Sequence, residues 1–220
     1  MVYQYALGGT SIHLTTTDGA LVARRCDLPE CLCGIFSTAQ GRKLAFALPM
    51  LRTCRQVYSE AIEYLYTDNS FSLSTDIDEI PTIDYFSHFF LPQRLTQIRD
   101  LFFYWELDSF NYHLMTQTPN PVLDQWYKSW GALGKLSGLR RLRVSLVFRY
   151  THWSDYYEEL WKERWVEMLE PLKTITAPRD FVVTLPDRRC STAIDLGESH
   201  CVFELPAAVE DDDSTDDDSL

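Results

Sequence analysis

Between Leu48 and Tyr66 apolar residues recur at steps of three and four: Leu48, Leu51, Cys54, Val57 or Tyr58, Ala61 and Leu65, with Ile62 and Tyr66 widening the stripe. This spacing predicts one amphipathic helix with Pro49 in its first turn and Cys54 on its buried side. Arg52, Arg55, Gln56, Ser59, Glu60 and Glu63 fall mostly on the opposite side. Other windows alternate with period two. Leu101, Phe103 and Trp105 alternate with Phe102, Tyr104 and Glu106, a pattern of low polarity on both faces that predicts a central strand. Leu142, Val144, Leu146 and Phe148 mark one face of a second strand, and NSFSLS, FVVTL and HCVFEL read as shorter ones. Asn120 as N-cap and Pro121 at the first helical position open a helix lined by Val122, Trp126, Trp130 and Leu133. Tyr157, Trp161, Trp165, Met168 and Leu172 form the stripe of a further helix. At the start, VYQYAL followed by Gly8 and Gly9 reads as the last turns of a helix whose beginning is expected to be missing. SIHLTTT and ALVARRC, joined at Asp18-Gly19, predict a hairpin.

One internal repeat stands out. Leu95, Ile98, Leu101 and Phe103 match Leu136, Leu139, Leu142 and Val144, each pair offset by 41 residues. Each unit reads as helix end, tight connection and strand, so the two strands are expected to lie parallel. The predicted fold is α+β: a mixed sheet with packed helices, its C-terminal half built of irregular leucine-rich-repeat-like helix-strand units. Residues 1–206 are expected to form a single domain, with possible sub-lobes 1–90 and 91–206, and residues 207–220 to be a disordered acidic tail.

Charge and composition narrow the functional classes. The formal net charge is −12, and Glu210, Asp211, Asp212, Asp213, Asp216, Asp217 and Asp218 supply seven of the negative charges, leaving −5 for the rest. Binding to nucleic acid or an anionic membrane needs local positive charge, so neither is expected. The arginines near Arg24, Arg143 and Arg188 form short pairs and read as solvated faces. No stretch approaches the ~20 apolar residues of a membrane span, and MVYQYALGG does not read as a leader. A cytoplasmic or nuclear location follows, with the six cysteines as thiols.

Candidate chemistry is sparse. Cys26, Cys31 and Cys33, with His13 upstream, have spacing that strains a shared tetrahedral zinc site; loop thiols are the expectation, with no metal and no cofactor. Cys54, beside Arg55 and Glu60, would need a general base to act as a nucleophile, and His88, His113, His152 and His200 each sit in a different distant segment. A core thiol is the expected role. Glu158 and Glu159 read as solvated. Trp153 and Tyr156 lie off the helical stripe and are candidates for a contact patch. Ser214 and Thr215, surrounded by acids, are candidate phosphorylation sites.

The stretch TCRQVYSEAIEYLYTDNSFSL, with Cys54, Arg55, Gln56, Tyr58, Glu60, Ala61, Leu65, Tyr66, Asn69 and Phe71, resembles a motif of uncharacterised fungal proteins that share a DUF7730-type domain related to F-box-like proteins. Pro92, Gln93, Arg94, Leu95, Ile98, Arg99 and Leu101 match a later motif of the same group, and VYQYALGGTSIHL resembles the end of its F-box-like first helix. The resemblance runs roughly from Tyr3 to Leu172. It implies an α+β domain with no assigned enzyme activity, no transferable catalytic residues and a loose kinship to substrate adaptors. Within the motif Cys54, Arg55, Tyr58, Glu60 and Arg99 are assigned structural roles. The two arginines are expected to fasten onto backbone carbonyls or a carboxylate. The expected function is a non-catalytic, adaptor-like module whose partner is another protein. The alternatives are an enzyme with an unrecognised active site and a small zinc-stabilised structural protein.

Overall fold

A computed structural model describes residues 2–17, 19–26, 42–43, 47–74, 82–107, 121–148 and 164–207. The first helix, α1 (Val2–Leu7), ends at Gly8, whose N–H donates to Gln4 O. Strands β1 (Ser11–Thr17) and β2 (Ala20–Cys26) pair antiparallel through a turn at Gly19, where φ is 73° and a side chain would be strained. A two-residue strand, β3 (Arg42–Lys43), pairs with β2.

The helix expected from Leu48 to Tyr66 is two helices, α2 (Ala47–Leu51) and α3 (Arg55–Thr67). The first closes on itself: the Arg52 N–H donates to Pro49 O, and the N–H and hydroxyl of Thr53 both donate to Met50 O. Cys54 is then extended (φ −159°, ψ 165°) and N-caps α3, its sulfur accepting from the Val57 N–H at 3.5 Å. The three-and-four spacing runs unbroken through this kink, which is why periodicity hid it. On α3, Ala61 and Ile62 are buried with Leu7 and Leu51, forming a small core between α1, α2 and α3.

After α3 comes β4 (Ser70–Ser74), then a 3₁₀ turn (Thr82–Tyr85) and two single-turn helices, α4 (Phe86–Phe89) and α5 (Pro92–Leu95). Next are β5 (Asp100–Leu107), α6 (Pro121–Gly134) and β6 (Arg141–Phe148). A helix over residues 164–169 (α7), a second 3₁₀ turn (Glu170–Thr174), β7 (Asp180–Thr184) and β8 (Cys201–Glu204) complete the described chain. The strands form one sheet in the order β3-β2-β1-β4-β5-β6-β7-β8. The first two pairings are antiparallel; β1 with β4 and every pairing from β4 to β8 is parallel. The α+β class and the mixed sheet are therefore as expected, and β5 is central.

Alternation along the strands sorts the side chains. Ile12, Leu14, Phe71, Leu73, Leu101, Phe103, Trp105, Leu142, Val144, Phe181 and Val183 face one side and are buried. Helices cover this side. Trp126 and Trp130 of α6 sit 4.2 and 5.8 Å from the Trp105 ring, and the Trp126 indole N–H donates to Met168 O at 2.7 Å. Burying one such ring contributes about 4–6 kcal/mol of gross hydrophobic stabilisation. The other face is mixed along β4 to β7: Ser70, Ser72, Asp100, Glu106, Arg141, Arg143, Ser145, Asp180 and Thr184 share it with Phe102, Tyr104, Val147 and Val182, and Tyr104 is buried. Leu101 pairs with Leu142 and Phe103 with Val144, so the ladder register equals the 41-residue repeat. No helix among the described residues is long and apolar enough to cross a membrane.

Candidate functional site

Parallel strands begin on one edge of a sheet, and this sheet aligns its beginnings closely. Ser11, Ser70, Asp100, Arg141 and Asp180 are successive ladder partners from β1 through β4, β5 and β6 to β7. The residues just before the strands therefore share one rim: Thr10, Asn69, Arg99 and Arg140. Asn69 fixes the left half of it. Its side-chain oxygen accepts from the Thr10 N–H at 2.8 Å, and its amide donates to Leu7 O and Leu65 O at 2.6 and 2.9 Å. One buried side chain thus ties the ends of α1 and α3 to the starts of β1 and β4.

Arg99 fixes the right half. One guanidinium nitrogen donates to Thr96 O at 2.8 Å and to Gly138 O at 2.7 Å, joining the two repeat units across their turns. The approach is so close that a Cβ on Gly138 would lie 1.9 Å from Thr96 O. Arg141 bridges three strands, with Nη1 at 2.9 Å from Asp100 and Nε at 3.1 Å from Asp180. Burial raises the Asp100 carboxyl above its ordinary value, and Arg141 and Arg143 pull it back without cancelling the rise.

These groups line an open cleft of about 550 Å³ along the strand beginnings. Arg99, Arg140, Arg141 and Arg143 line it, against the two carboxylates Asp68 and Asp100. Arg99 is held by neutral carbonyls, so its charge is not compensated by its partners. The Arg140 side chain is exposed and has no hydrogen-bond or ion-pair partner among the described residues. Counting Asp180, which Arg141 also engages, the cleft sets four arginines against three carboxylates, on a chain of net charge −12. Its described lining contains no histidine, cysteine or lysine. What it offers is a set of fixed planar donors, suited to holding carboxylate or phosphate oxygens.

A smaller cleft of about 320 Å³ lies between the first 3₁₀ turn and α6. Asp84 there accepts from the Ser129 hydroxyl at 2.7 Å and from the Gln125 amide. Burial pushes the Asp84 carboxyl upward despite the Ser129 bond. This network fastens the turn to the helix.

Of the described residues assigned structural roles from sequence, Cys54, Arg55, Tyr58, Glu60 and Arg99, Arg99 alone lines the large cleft. Cys54 is exposed, not shielded: its place is the cap, one residue outside the helix whose buried stripe it was assigned to. Arg55, at the first helical position, is exposed and fastens nothing among the described residues. Tyr58 is 42% exposed, and it is Tyr66 that stacks on Phe71, at 6.2 Å. Glu60 is exposed and accepts from the Gln56 amide at 2.9 Å. His13 and Cys26 are buried on β1 and β2; Cys31 and Cys33 lie outside the described residues, among which no group of three metal-ligating side chains occurs. Trp153, Tyr156, Ser214 and Thr215 also lie outside them. Burial pushes the thiols of Cys190 and Cys201 up to about 12. Reading the arginines near Arg143 as a solvated pair missed their place on the cleft. The 41-residue offset held the signal, since it sets Arg99 against Arg140 and Asp100 against Arg141.

The model of a domain of unknown function, DUF7730, matches residues 1–206. The chain belongs to the DUF7730 family. That match takes in every described strand of the sheet, both halves of the cleft rim and Asn69, and it leaves the acidic run outside. A search of curated proteins and a search of solved structures each find no match. For this DUF7730 chain the functional reading therefore rests on the cleft.

Proposed function

We propose that this DUF7730-family chain is a non-catalytic protein-interaction module, adaptor-like in role, which holds an acidic segment of a protein partner in the arginine-lined cleft. The observation that carries the reading is the convergence of Arg99, Arg140, Arg141 and Arg143 from two separate segments into one cleft of an otherwise acidic protein. Positive charge there offers contact-range attraction where the net field repels, which favours specificity over steering. The kinship with fungal F-box-like proteins implied by the CRQVY motif is in keeping with an adaptor acting in the cytoplasm or nucleus.

The test is fluorescence anisotropy with a labelled Glu/Asp-rich peptide against the full chain and Arg140→Glu. Arg140 is exposed and has no side-chain partner among the described residues, so the exchange leaves the fold intact. Binding weakened about tenfold or more, the loss of one charge-assisted contact, supports the cleft. Equal affinity of the two proteins, or no binding by either, overturns it.

A further inference from the structure

We infer that the edge where β5, β6 and β7 begin holds a phosphate monoester, a phosphoserine or phosphothreonine within the partner's acidic segment, on Arg99, Arg140 and Arg179. The inference rests on the protein-partner reading proposed above and names the group that the partner presents.

Register builds the row. Asp100 pairs with Arg141, and Arg141 with Asp180, so the residues one place earlier, Arg99, Arg140 and Arg179, stand level at the starts of the three strands. Backbone bonds hold them there. The N–H groups of Arg140 and Arg141 both donate to Arg99 O, at 2.8 and 3.0 Å, and those of Arg179 and Asp180 both donate to Arg140 O, at 3.1 Å each. Neighbouring strands lie ~4.8 Å apart, so the three Cα atoms span about 10 Å, with Arg140 in the middle. Arg179 lies one strand beyond the lining of the cleft, on the β7 side.

Two adjoining rows differ in how their charge is met. In the row Asp100, Arg141, Asp180 the guanidinium is already spent on the carboxylates to either side, and Arg143 has a partner of its own. The row before it is arginine at all three places. Arg99 is anchored through Nη1 to two backbone carbonyls, while its Nε and Nη2 make no hydrogen bond among the described residues. That anchoring lowers the cost of ordering the side chain on a ligand. Arg140 and Arg179 are exposed, and their side chains make no hydrogen bond or ion pair among the described residues. Three unspent guanidinium groups at one-strand intervals suit a ligand that concentrates charge. A carboxylate brings one charge and two oxygens; a phosphate monoester brings about two charges and three strong acceptor oxygens. Nucleic acid spreads single charges along a polyanion, which a chain of net charge −12 repels as a whole.

The experiment uses the full chain and a labelled Glu/Asp-rich peptide with one central serine, made with and without phosphate on that serine. Anisotropy titrations compare wild type with Arg179→Gln, an exchange of an exposed side chain that leaves the fold intact. Phosphate is expected to tighten binding to wild type about tenfold or more at neutral pH. Arg179→Gln should remove most of that gain while changing the affinity for the unphosphorylated peptide by less than about twofold. The gain should also shrink as pH falls below the second phosphate pKa of about 6, where the dianion takes up a proton. Equal affinity for the two peptides, a gain that survives in Arg179→Gln, or a gain independent of pH overturns the phosphate site and leaves the acidic cleft standing. Binding of the phosphopeptide alone supports the phosphate site and removes the reading that acidic side chains suffice. A single-stranded oligonucleotide that competes as well as the phosphopeptide overturns the assignment in favour of a general polyanion surface. No binding of either peptide overturns both readings.

Discussion

Cys54 illustrates how a single position can satisfy one pattern and serve another. It keeps the apolar spacing of the stripe, yet its backbone is extended and its sulfur accepts a hydrogen bond from the first turn of α3. A thiol is a weak acceptor compared with a hydroxyl, so Cys54→Ser should preserve or slightly raise stability, while Cys54→Ala, losing only that weak bond, should cost about 0.5 kcal/mol or less, the low end of cap losses; urea midpoints of the two variants measure the difference. Its exposure has a second consequence. Native-state alkylation followed by peptide mapping should modify Cys54, whereas Cys190 and Cys201, buried and with thiols pushed up to about 12, should react only once the chain is unfolded. Protection of Cys54 in the native state would contradict its position as cap.

At the level of elements, much was legible where local pattern and tertiary demand agree. The hairpin at Gly19, the central β5, the helix bearing Trp126 and Trp130, and the parallel pairing at the 41-residue offset all follow from spacing that burial also requires. The break between α2 and α3 did not, because its cause is a set of side-chain and backbone bonds from Thr53 and Cys54 that leave the hydrophobic period untouched. The cleft was hidden for another reason. Its arginines come from segments about forty residues apart and meet only through strand register. Gly138 makes that register testable. A methyl group there would overlap Thr96 O and the Arg99 guanidinium, at 1.9 and 2.2 Å, both of them parts of the turn-to-turn clasp. Gly138→Ala should therefore destabilise by about 3 kcal/mol or more, the upper end of overpacking costs, as read from a lowered urea midpoint at unchanged slope.

Across the whole molecule, sequence reported the excess of acid and not its distribution: the sum of −12 conceals four arginines gathered at one rim of the sheet. Two carboxylates also run against the usual acid lability. Asp84 and Asp100 are both raised, chiefly by burial. The folded state therefore binds their protons more tightly than the unfolded state does. Their contribution to stability is complete below the unfolded carboxylate value of 3.8 and is lost as pH rises through the higher folded values. Wild type should gain on Asp84→Asn as pH is lowered from 7 toward 4, with the gap between their urea midpoints as the readout; a gap independent of pH would contradict the raised carboxyl. The sheet order has a consequence on the ribosome as well. Strand β1 finds β2 within a few residues, but its other neighbour, β4, trails it by 59 positions, Ser11 against Ser70. At about 5–20 residues per second of synthesis, one side of the first hairpin waits roughly 3–12 s for its partner strand, an interval in which a nascent-chain chaperone has the bare strand to itself.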